Sequence, residues 1–367
     1  MNIAINKPTG AKLQAAKATV AATVAAKTTV AAMAANSVNT VKTAVVAAAA
    51  AALAVGFSTA AQAQWSPKKP IELIIMAGTG GGADQIARLL QGLIEQKDLS
   101  PRPFIPINKP GGSGAEALRY LQGKKGDDHV VLVTLNSFYT TPIIQRGIGV
   151  DVRRFTPIGR MALDNFLLWV HTDQAGITDL DSYVAAVKSA GRNWKVGGTG
   201  IGQEDSILTA MMESHFDYEV TYIPFPGGGT VAKNLVGKHI DSTVNNPAEQ
   251  NEFYRAGNTK PLVQFTANRL PAYPDIPTAK ELGHDIQYYM QRSINGPPGM
   301  SKAAQQWYIN LFETLFNSAE WQQFCTDDGL ACDTWLAGDA LGAYHRTEIA
   351  KHRDLIESVG ATAITGE

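Results

Sequence analysis

The 367-residue chain has only two cysteines, Cys325 and Cys332. No cluster of cysteine and histidine accompanies them, so the sequence does not indicate a metal site. In an oxidising compartment the pair could form a disulfide that closes a small loop. The alternative is two buried free thiols, and the spacing leaves both possibilities open.

Acidic residues are missing from the start of the chain, where no Asp or Glu precedes Glu72. Residues 1–63 contain five lysines, and their last part is an apolar run that ends in Ala61-Gln62-Ala63. This pattern predicts a signal peptide over 1–63 with a long n-region, cleaved before Gln64. A retained membrane anchor and an Ala-rich amphipathic tail are the alternatives. The long n-region also raises the question of a downstream start at Met33.

Positive charge is scarce once that segment is set aside. The whole chain has 32 Lys+Arg and 33 Asp+Glu, so removing five lysines leaves 27 against 33, a net charge of −6. An acidic protein without a basic patch is not expected to bind nucleic acid. The remaining residues, about 300 in number, are enough for two domains of ordinary size, and no later apolar run is long enough to span a membrane.

Catalytic motifs are also missing. The sequence has no G-x-S-x-G and no H-E-x-x-H, and its seven histidines are scattered. We therefore expect no enzymatic activity, no cofactor and no bound metal. An exported α/β enzyme that uses Asp84 or Glu204 as an acid or base is the alternative.

The stretch from Ile71 to Leu90 reads as a buried strand, a glycine loop and the start of a helix. Free N–H groups at such a helix start, with the helix dipole behind them, favour an anion. Gly78-x-Gly80-x-x-Ala83 also matches a dinucleotide fingerprint, but that site requires an acid after the second strand, and Asn108 stands there. A small carboxylate is therefore favoured over a nucleotide.

The same pattern recurs later in the chain. A strand, the glycines of residues 197–202 and a helix from about Glu204 repeat the opening arrangement, and residues 226–230 form another glycine loop. Alternating strands and helices with short loops predict an α/β fold with parallel strands. Two similar lobes facing each other fit a hinge-bending binding protein.

Several segments in this order carry a family resemblance: GTGGGAD, NKPGGSGAEAL, KVGGTGIG, YIPFPGGGTVAKNLVGKHID, RLPAYPDIPT and NGPPG. From about Pro67 onward the chain resembles the periplasmic solute receptors of tripartite tricarboxylate transporters, the Bug receptor family. The resemblance implies a two-lobed, flytrap, type II-like periplasmic binding protein with a parallel-rich sheet in each lobe. It implies lobe 1 from residues 64–165 and 291–367, and lobe 2 from residues 166–290.

The resemblance further implies a monomer in the periplasm that binds a small organic carboxylate and delivers it to membrane permease subunits. A receptor that signals to a membrane sensor remains an alternative. The ligand would be a di- or tricarboxylate, or an aromatic acid if Phe138, Tyr139 and Phe225 line the cleft and do not belong to the core. The residues expected to bind it lie in loops and at strand ends: Thr79, Gly80, Gly81, Gly82, Asp84, Asn136, Ser137, Gly198, Thr199, Gly200, Gly202, Gly227, Gly228, Asn245 and Asn246.

Three departures from the family pattern bear on specificity. The first loop has Ala77-Gly78-Thr79 where a proline-rich segment is usual. Ser206, preceded by Glu204 and Asp205, stands where many relatives carry histidine. Asn245 replaces a frequent aspartate. The identity of the ligand therefore cannot be taken over from the family.

Overall fold

The computed structural model describes residues 65–359, and the signal peptide expected over 1–63 lies outside this part of the chain. The strands are β1 Ile71–Ile75, β2 Phe104–Asn108, β3 Val130–Val133, β4 Thr156–Asn165, β5 Leu167–His171, β6 Lys195–Gly198, β7 Thr221–Pro224, β8 Ser242–Thr243, β9 Thr259–Gln264, β10 Tyr289–Gly296 and β11 Leu336–Ala337. The helices are α1 Gly82–Gln96, α2 Ala115–Gly123, α3 Ser137–Ile144, α4 Leu180–Ala190, α5 Glu204–Phe216, α6 Gly228–Val236, α7 Pro247–Arg255, α8 Lys302–Phe316, α9 Ala319–Asp327 and α10 Gly338–Val359.

The first sheet has six strands in the order β11-β4-β10-β3-β1-β2. β1 pairs in parallel with β2 and β3, whereas β10 pairs antiparallel with β3 and β4. β1 and β3 are short apolar runs, as expected for parallel strands covered on both faces. The parallel half of this sheet therefore brings the loops after β1 and β3 to one edge.

The second sheet has five strands in the order β7-β6-β8-β5-β9. β6 pairs in parallel with β7 and β8, while β5 pairs antiparallel with β8 and β9. Both sheets are thus mixed, and each has a parallel half that carries a glycine loop. The expected two-lobed α/β architecture is present, with antiparallel strands where the chain passes from one lobe to the other.

The chain crosses between the sheets at two closely joined places. Phe166 is the single residue between β4 and β5, and the return runs from β9 to β10. The backbone amide of Phe265 donates to the carbonyl of Phe166 at 3.0 Å, and that of Tyr288 donates to the carbonyl of Phe265 at 3.0 Å. The crossings are therefore tied to each other, as in a hinge made of adjacent strands.

The C-terminal helices cover the first sheet. α10 packs on β4 and α3, and it also reaches α5 of the second lobe. Phe138 and Tyr139 are buried in this region, and the Tyr139 hydroxyl lies 2.7 Å from Nδ1 of His345. These two aromatic residues belong to the core. No helix within residues 65–359 is long and apolar enough to cross a membrane.

Cys325 at the end of α9 and Cys332 in the following loop form a disulfide, with their Cα atoms 6.2 Å apart. Both side chains are buried. The bond ties the turn after α9 to the segment in which Ala331 pairs with Leu163 of β4. It therefore stabilises the packing of the C-terminal helices on lobe 1.

We expect the double variant Cys325→Ser/Cys332→Ser to lose about 2 kcal/mol of unfolding free energy, the entropic effect of opening a short loop. Urea unfolding followed by circular dichroism measures this loss. The wild type with a reducing agent should match the variant. Equal stability of the oxidised wild type and the variant would contradict a stabilising role for the bond.

Candidate ligand-binding site

The loop between β1 and α1 is shaped by Asp84. Its carboxylate accepts hydrogen bonds from the Gly80 amide at 2.9 Å, from Arg88 Nε at 3.0 Å and from Asn108 Nδ2 at 3.0 Å. Burial works against its ionisation, but the hydrogen bonds and the charge of Arg88 outweigh that effect and lower the pKa of Asp84. Asp84 is therefore an ionised carboxylate that holds the loop, with its oxygens already engaged.

The glycine loop after β6 is held in a similar way by the start of α5. The Thr199 amide donates to Asp205 Oδ2 at 2.7 Å, and the Gly200 amide donates to Gln203 Oε1 at 2.6 Å. The Gly202 amide donates to Ser206 Oγ at 2.9 Å. Side chains of the protein itself thus occupy the loop amides that the sequence assigned to a ligand.

Two further backbone amides donate hydrogen bonds to carboxylates of the opposite lobe. The Gly82 amide at the start of α1 donates to Glu249 Oε1 of α7 at 3.0 Å. The Ser137 amide at the start of α3 donates to Glu204 Oε1 of α5. Neither helix has a side-chain cap of its own. Each of these helix starts on lobe 1 is therefore capped by a glutamate of lobe 2.

Other contacts close the remaining edge of the cleft. The Gly78 amide donates to the Pro226 carbonyl at 3.1 Å, and Ser113 Oγ donates to the Ile201 carbonyl at 2.8 Å. Thr140 Oγ1 donates to the Gly202 carbonyl at 2.8 Å. The two lobes are thus in direct contact through their glycine loops.

Asn136, Asn245 and Asn246 are engaged within the protein. Asn136 donates to the Tyr289 carbonyl at 2.7 Å and accepts from the Gln291 amide at 3.0 Å, which fixes β10 beside β3. Asn245 Nδ2 donates to Glu249 Oε2 at 2.6 Å, and Asn246 Nδ2 donates to the Asn165 carbonyl at 2.7 Å. These side chains position the site, with part of their hydrogen-bonding capacity in use.

A small cavity of about 20 Å³ remains between the lobes, enough for about one water molecule. Predicted site residues from both lobes line it: Gly81, Gly82, Thr199, Gly227, Gly228 and Asn246. Thr79 and Gly80 instead lie at an outer opening of about 370 Å³, and Glu249 borders both spaces. Gly198, Gly200, Gly202, Asn136, Ser137 and Asn245 support this region without lining the cavity, and their binding roles stay predictions.

Glycine is required at two positions beside the cavity. A Cβ on Gly82 would lie 2.6 Å from Arg292 Nη2, and a Cβ on Gly228 would lie 2.1 Å from the Glu249 carboxylate. Any side chain at Gly82 would displace the buried guanidinium of Arg292, and one at Gly228 would displace the partly buried carboxylate of Glu249. The glycines thus let polar side chains approach the backbone closely.

A comparison with protein-family models matches residues 86–360 to the tripartite tricarboxylate transporter family receptor. The chain belongs to this family. Among curated relatives, a UPF0065 protein of Bordetella pertussis is 26% identical over 308 residues, which cover 83% of this chain and 93% of the relative. Protein BugT of the same organism is 23% identical over 62% of this chain and 70% of its own.

Solved structures support the receptor fold. The periplasmic binding protein BugD superposes with a TM-score of 0.76 at 19% identity, covering 80% of this chain and 99% of its own. MatC from Rhodopseudomonas palustris, solved with bound malate, has a TM-score of 0.74 at 21% identity, and the match covers 79% of this chain and 99% of MatC. The prediction of a two-lobed periplasmic-binding-protein fold is confirmed.

The receptor also contains buried charged residues that sequence reasoning did not assign to the site. Arg292 of β10 pairs with Asp164 of β4, with Arg292 Nε 3.0 Å from Asp164 Oδ2, and both are almost fully buried. Arg292 Nη2 also donates to Asn246 Oδ1 at 3.2 Å. Asp164, Glu249 and Arg292 lie far apart in sequence and in no motif, so only the fold reveals that they meet.

Burial raises the pKa of Glu204, Asp205 and Glu249. For Asp205 the charge of Glu249 adds to the effect of burial, which places the two carboxyls in one electrostatic cluster. Glu204 and Asp205 stood out in the sequence as a departure beside the second loop. Their position between the lobes could not be read from it.

The raised pKa of Asp205 predicts that the free energies of unfolding of the wild type and of Asp205→Asn differ by an amount that depends on pH. A carboxyl whose folded pKa is raised contributes stability below its unfolded pKa, and this contribution is lost as the pH rises through the folded pKa. We expect Asp205→Asn to be more stable than the wild type at pH 8, on the order of 1 kcal/mol. The difference should vanish near pH 4, as measured by urea unfolding at both values.

Asp354→Asn, on an exposed part of α10, is the matched control and should show no such trend. A stability advantage of Asp205→Asn that grows as the pH falls would contradict this account.

Proposed function

We propose that this protein is a periplasmic receptor that binds a small organic carboxylate between its lobes and delivers it to a tripartite tricarboxylate-type permease. The observation that carries the proposal is the pair of helix starts at Gly82 and Ser137. Each already holds a carboxylate oxygen across the cleft, supplied by Glu249 and Glu204. The site therefore has the chemistry to bind a ligand carboxylate in place of a glutamate.

Family membership supports the same function. Of the solved relatives, MatC contains malate, and Rpa4515 from R. palustris contains adipate. The lobe assignment adopted here is 64–165 with 291–367 for lobe 1 and 166–290 for lobe 2, with export directed by residues 1–63. This arrangement joins the lobes through the crossings at Phe166 and between β9 and β10.

Ligand entry requires the lobes to separate. The closed cavity of about 20 Å³ is far smaller than any dicarboxylate. The outer opening beside Thr79 and Gly80 leads to Glu249, which borders both spaces. A ligand would enter from this side after the two interlobe glutamate bonds break, and closure would then trap it.

A role for Asp84 in acid–base catalysis has little support, because its carboxylate is held by Arg88, Asn108 and the Gly80 amide. The exposed guanidinium of Arg88 helps to lower the pKa of that carboxyl and keeps it ionised. The hydrogen bonds of Asp84 are explained by its role in holding the loop of a receptor, and no catalytic role is needed to explain them.

Calorimetric titration against mono-, di- and tricarboxylates, benzoate, a nucleotide and a diamine tests the function. We expect binding of at least one carboxylate and none of the nucleotide.

We also expect Thr199→Ala to weaken carboxylate binding by about 1–3 kcal/mol, because Thr199 lines the cavity and its buried hydroxyl has no partner within residues 65–359.

The control is Thr347→Ala on the exposed part of α10, which should leave affinity unchanged. Binding of the nucleotide, with no response to any carboxylate, would refute the proposed function.

A further inference from the structure

The cavity between the lobes contains more carboxyls than cations. Glu204, Asp205 and Glu249 line it, and Arg292 is the one Lys or Arg among the lining residues of the described chain. Arg292 is already paired with Asp164. Within residues 65–359, no Lys or Arg nitrogen lies within 4.0 Å of a carboxylate oxygen of Glu204, Asp205 or Glu249. Burial of these carboxyls without a cation beside them favours their neutral form, which is why their pKa is raised, and a cation placed among them would favour the ionised form.

The three carboxyls are held by neutral donors. Glu204 accepts from the Ser137 amide, Asp205 from the Thr199 amide, and Glu249 from the Gly82 amide and Asn245. An ionised carboxylate has about four acceptor sites, so each of these groups has capacity left. A group with several N–H donors and a positive charge would match that capacity.

Arg292 provides a second and independent observation. Its side chain is 1% exposed and lines the same cavity. Nε and Nη2 are used by Asp164 and Asn246, whereas Nη1 has no hydrogen-bond partner among the described residues. A buried guanidinium donor without a partner calls for an acceptor, and a carboxylate is the acceptor that guanidinium binds best.

Resting on the proposed function, we propose that the ligand of this receptor carries a protonated amine as well as a carboxylate. The ammonium group would lie among Glu204, Asp205 and Glu249, and the carboxylate would accept from Arg292 Nη1 and from the Gly82 amide that Glu249 releases. Such a zwitterion supplies the missing cation and the missing acceptor together.

A plain dicarboxylate supplies the acceptor but adds a second negative charge to a cavity that already has an excess. Its second carboxylate would have to lie among Glu204, Asp205 and Glu249, where the amino acid places its ammonium group. Like charges brought together in a poorly solvated space repel strongly. The cleft should therefore discriminate between two ligands of equal length that differ in one terminal group.

Matched ligand series test this discrimination by calorimetric titration of the purified protein. The pairs are succinate with 4-aminobutanoate, glutarate with 5-aminopentanoate, and adipate with 6-aminohexanoate, with the diamine of each length as a third member. We expect the best amino acid to bind at least tenfold more tightly than its paired diacid and its paired diamine.

Glu249→Gln should reduce affinity for that amino acid at least tenfold and should not reduce affinity for the diacid. Glu252→Gln is the control, because it removes the same charge from an exposed position of the same helix at the outer opening. It should change neither affinity by more than twofold. Circular dichroism of both variants checks that they are folded.

The outcomes separate the two proposals. Tighter binding of the diacids, or a gain of amino-acid affinity in Glu249→Gln, would overturn this inference and leave the proposed function standing. Binding of the diamines alone would overturn this inference, because the proposed ligand carries a carboxylate as well as an amine. Failure of all three series to bind would overturn this inference, and the tricarboxylate and benzoate titrations described above would then decide the proposed function.

Discussion

The buried guanidinium of Arg292 is the interaction on which the rest of the cleft depends. It bonds Asp164 on the neighbouring strand and Asn246 at the start of α7, and its Nη2 fills the space where any side chain at position 82 would stand. One cation thus connects both lobes and the first glycine loop. Removing either partner of such a pair would leave an uncompensated charge in the interior.

The backbone around this cation was largely predictable from sequence. Short apolar runs followed by glycines and helical spacing are local patterns, so the strand–loop–helix units at residues 71–96 and 195–216 could be placed correctly. Local patterns of this kind specify secondary structure without specifying which side chains meet.

The occupants of the anion sites could not be predicted in the same way. Glu249 meets Gly82 across 167 residues of sequence, and Glu204 meets Ser137 across 67. Nothing in the local sequence of a glutamate in a helix marks it as the cap of a distant helix. The sequence predicts that the amides of the glycine loops bind an anion, and carboxylates of the chain itself reach some of these amides because of the way the lobes face each other. The positions of Asp164 and Arg292, on adjacent antiparallel strands, depended on sheet register in the same way.

Under the proposed function, the glutamate caps would make ligand capture an exchange of partners. Opening the lobes would free the first amides of α1 and α3 for water. A ligand that closes the lobes again therefore competes with an interaction that the protein can form alone. Its affinity reflects only the difference between its own contacts and those of Glu204 and Glu249. Under the proposed function, the same glutamates would bridge the lobes without a ligand, so a closed shape alone would not tell the proposed permease that the receptor is loaded.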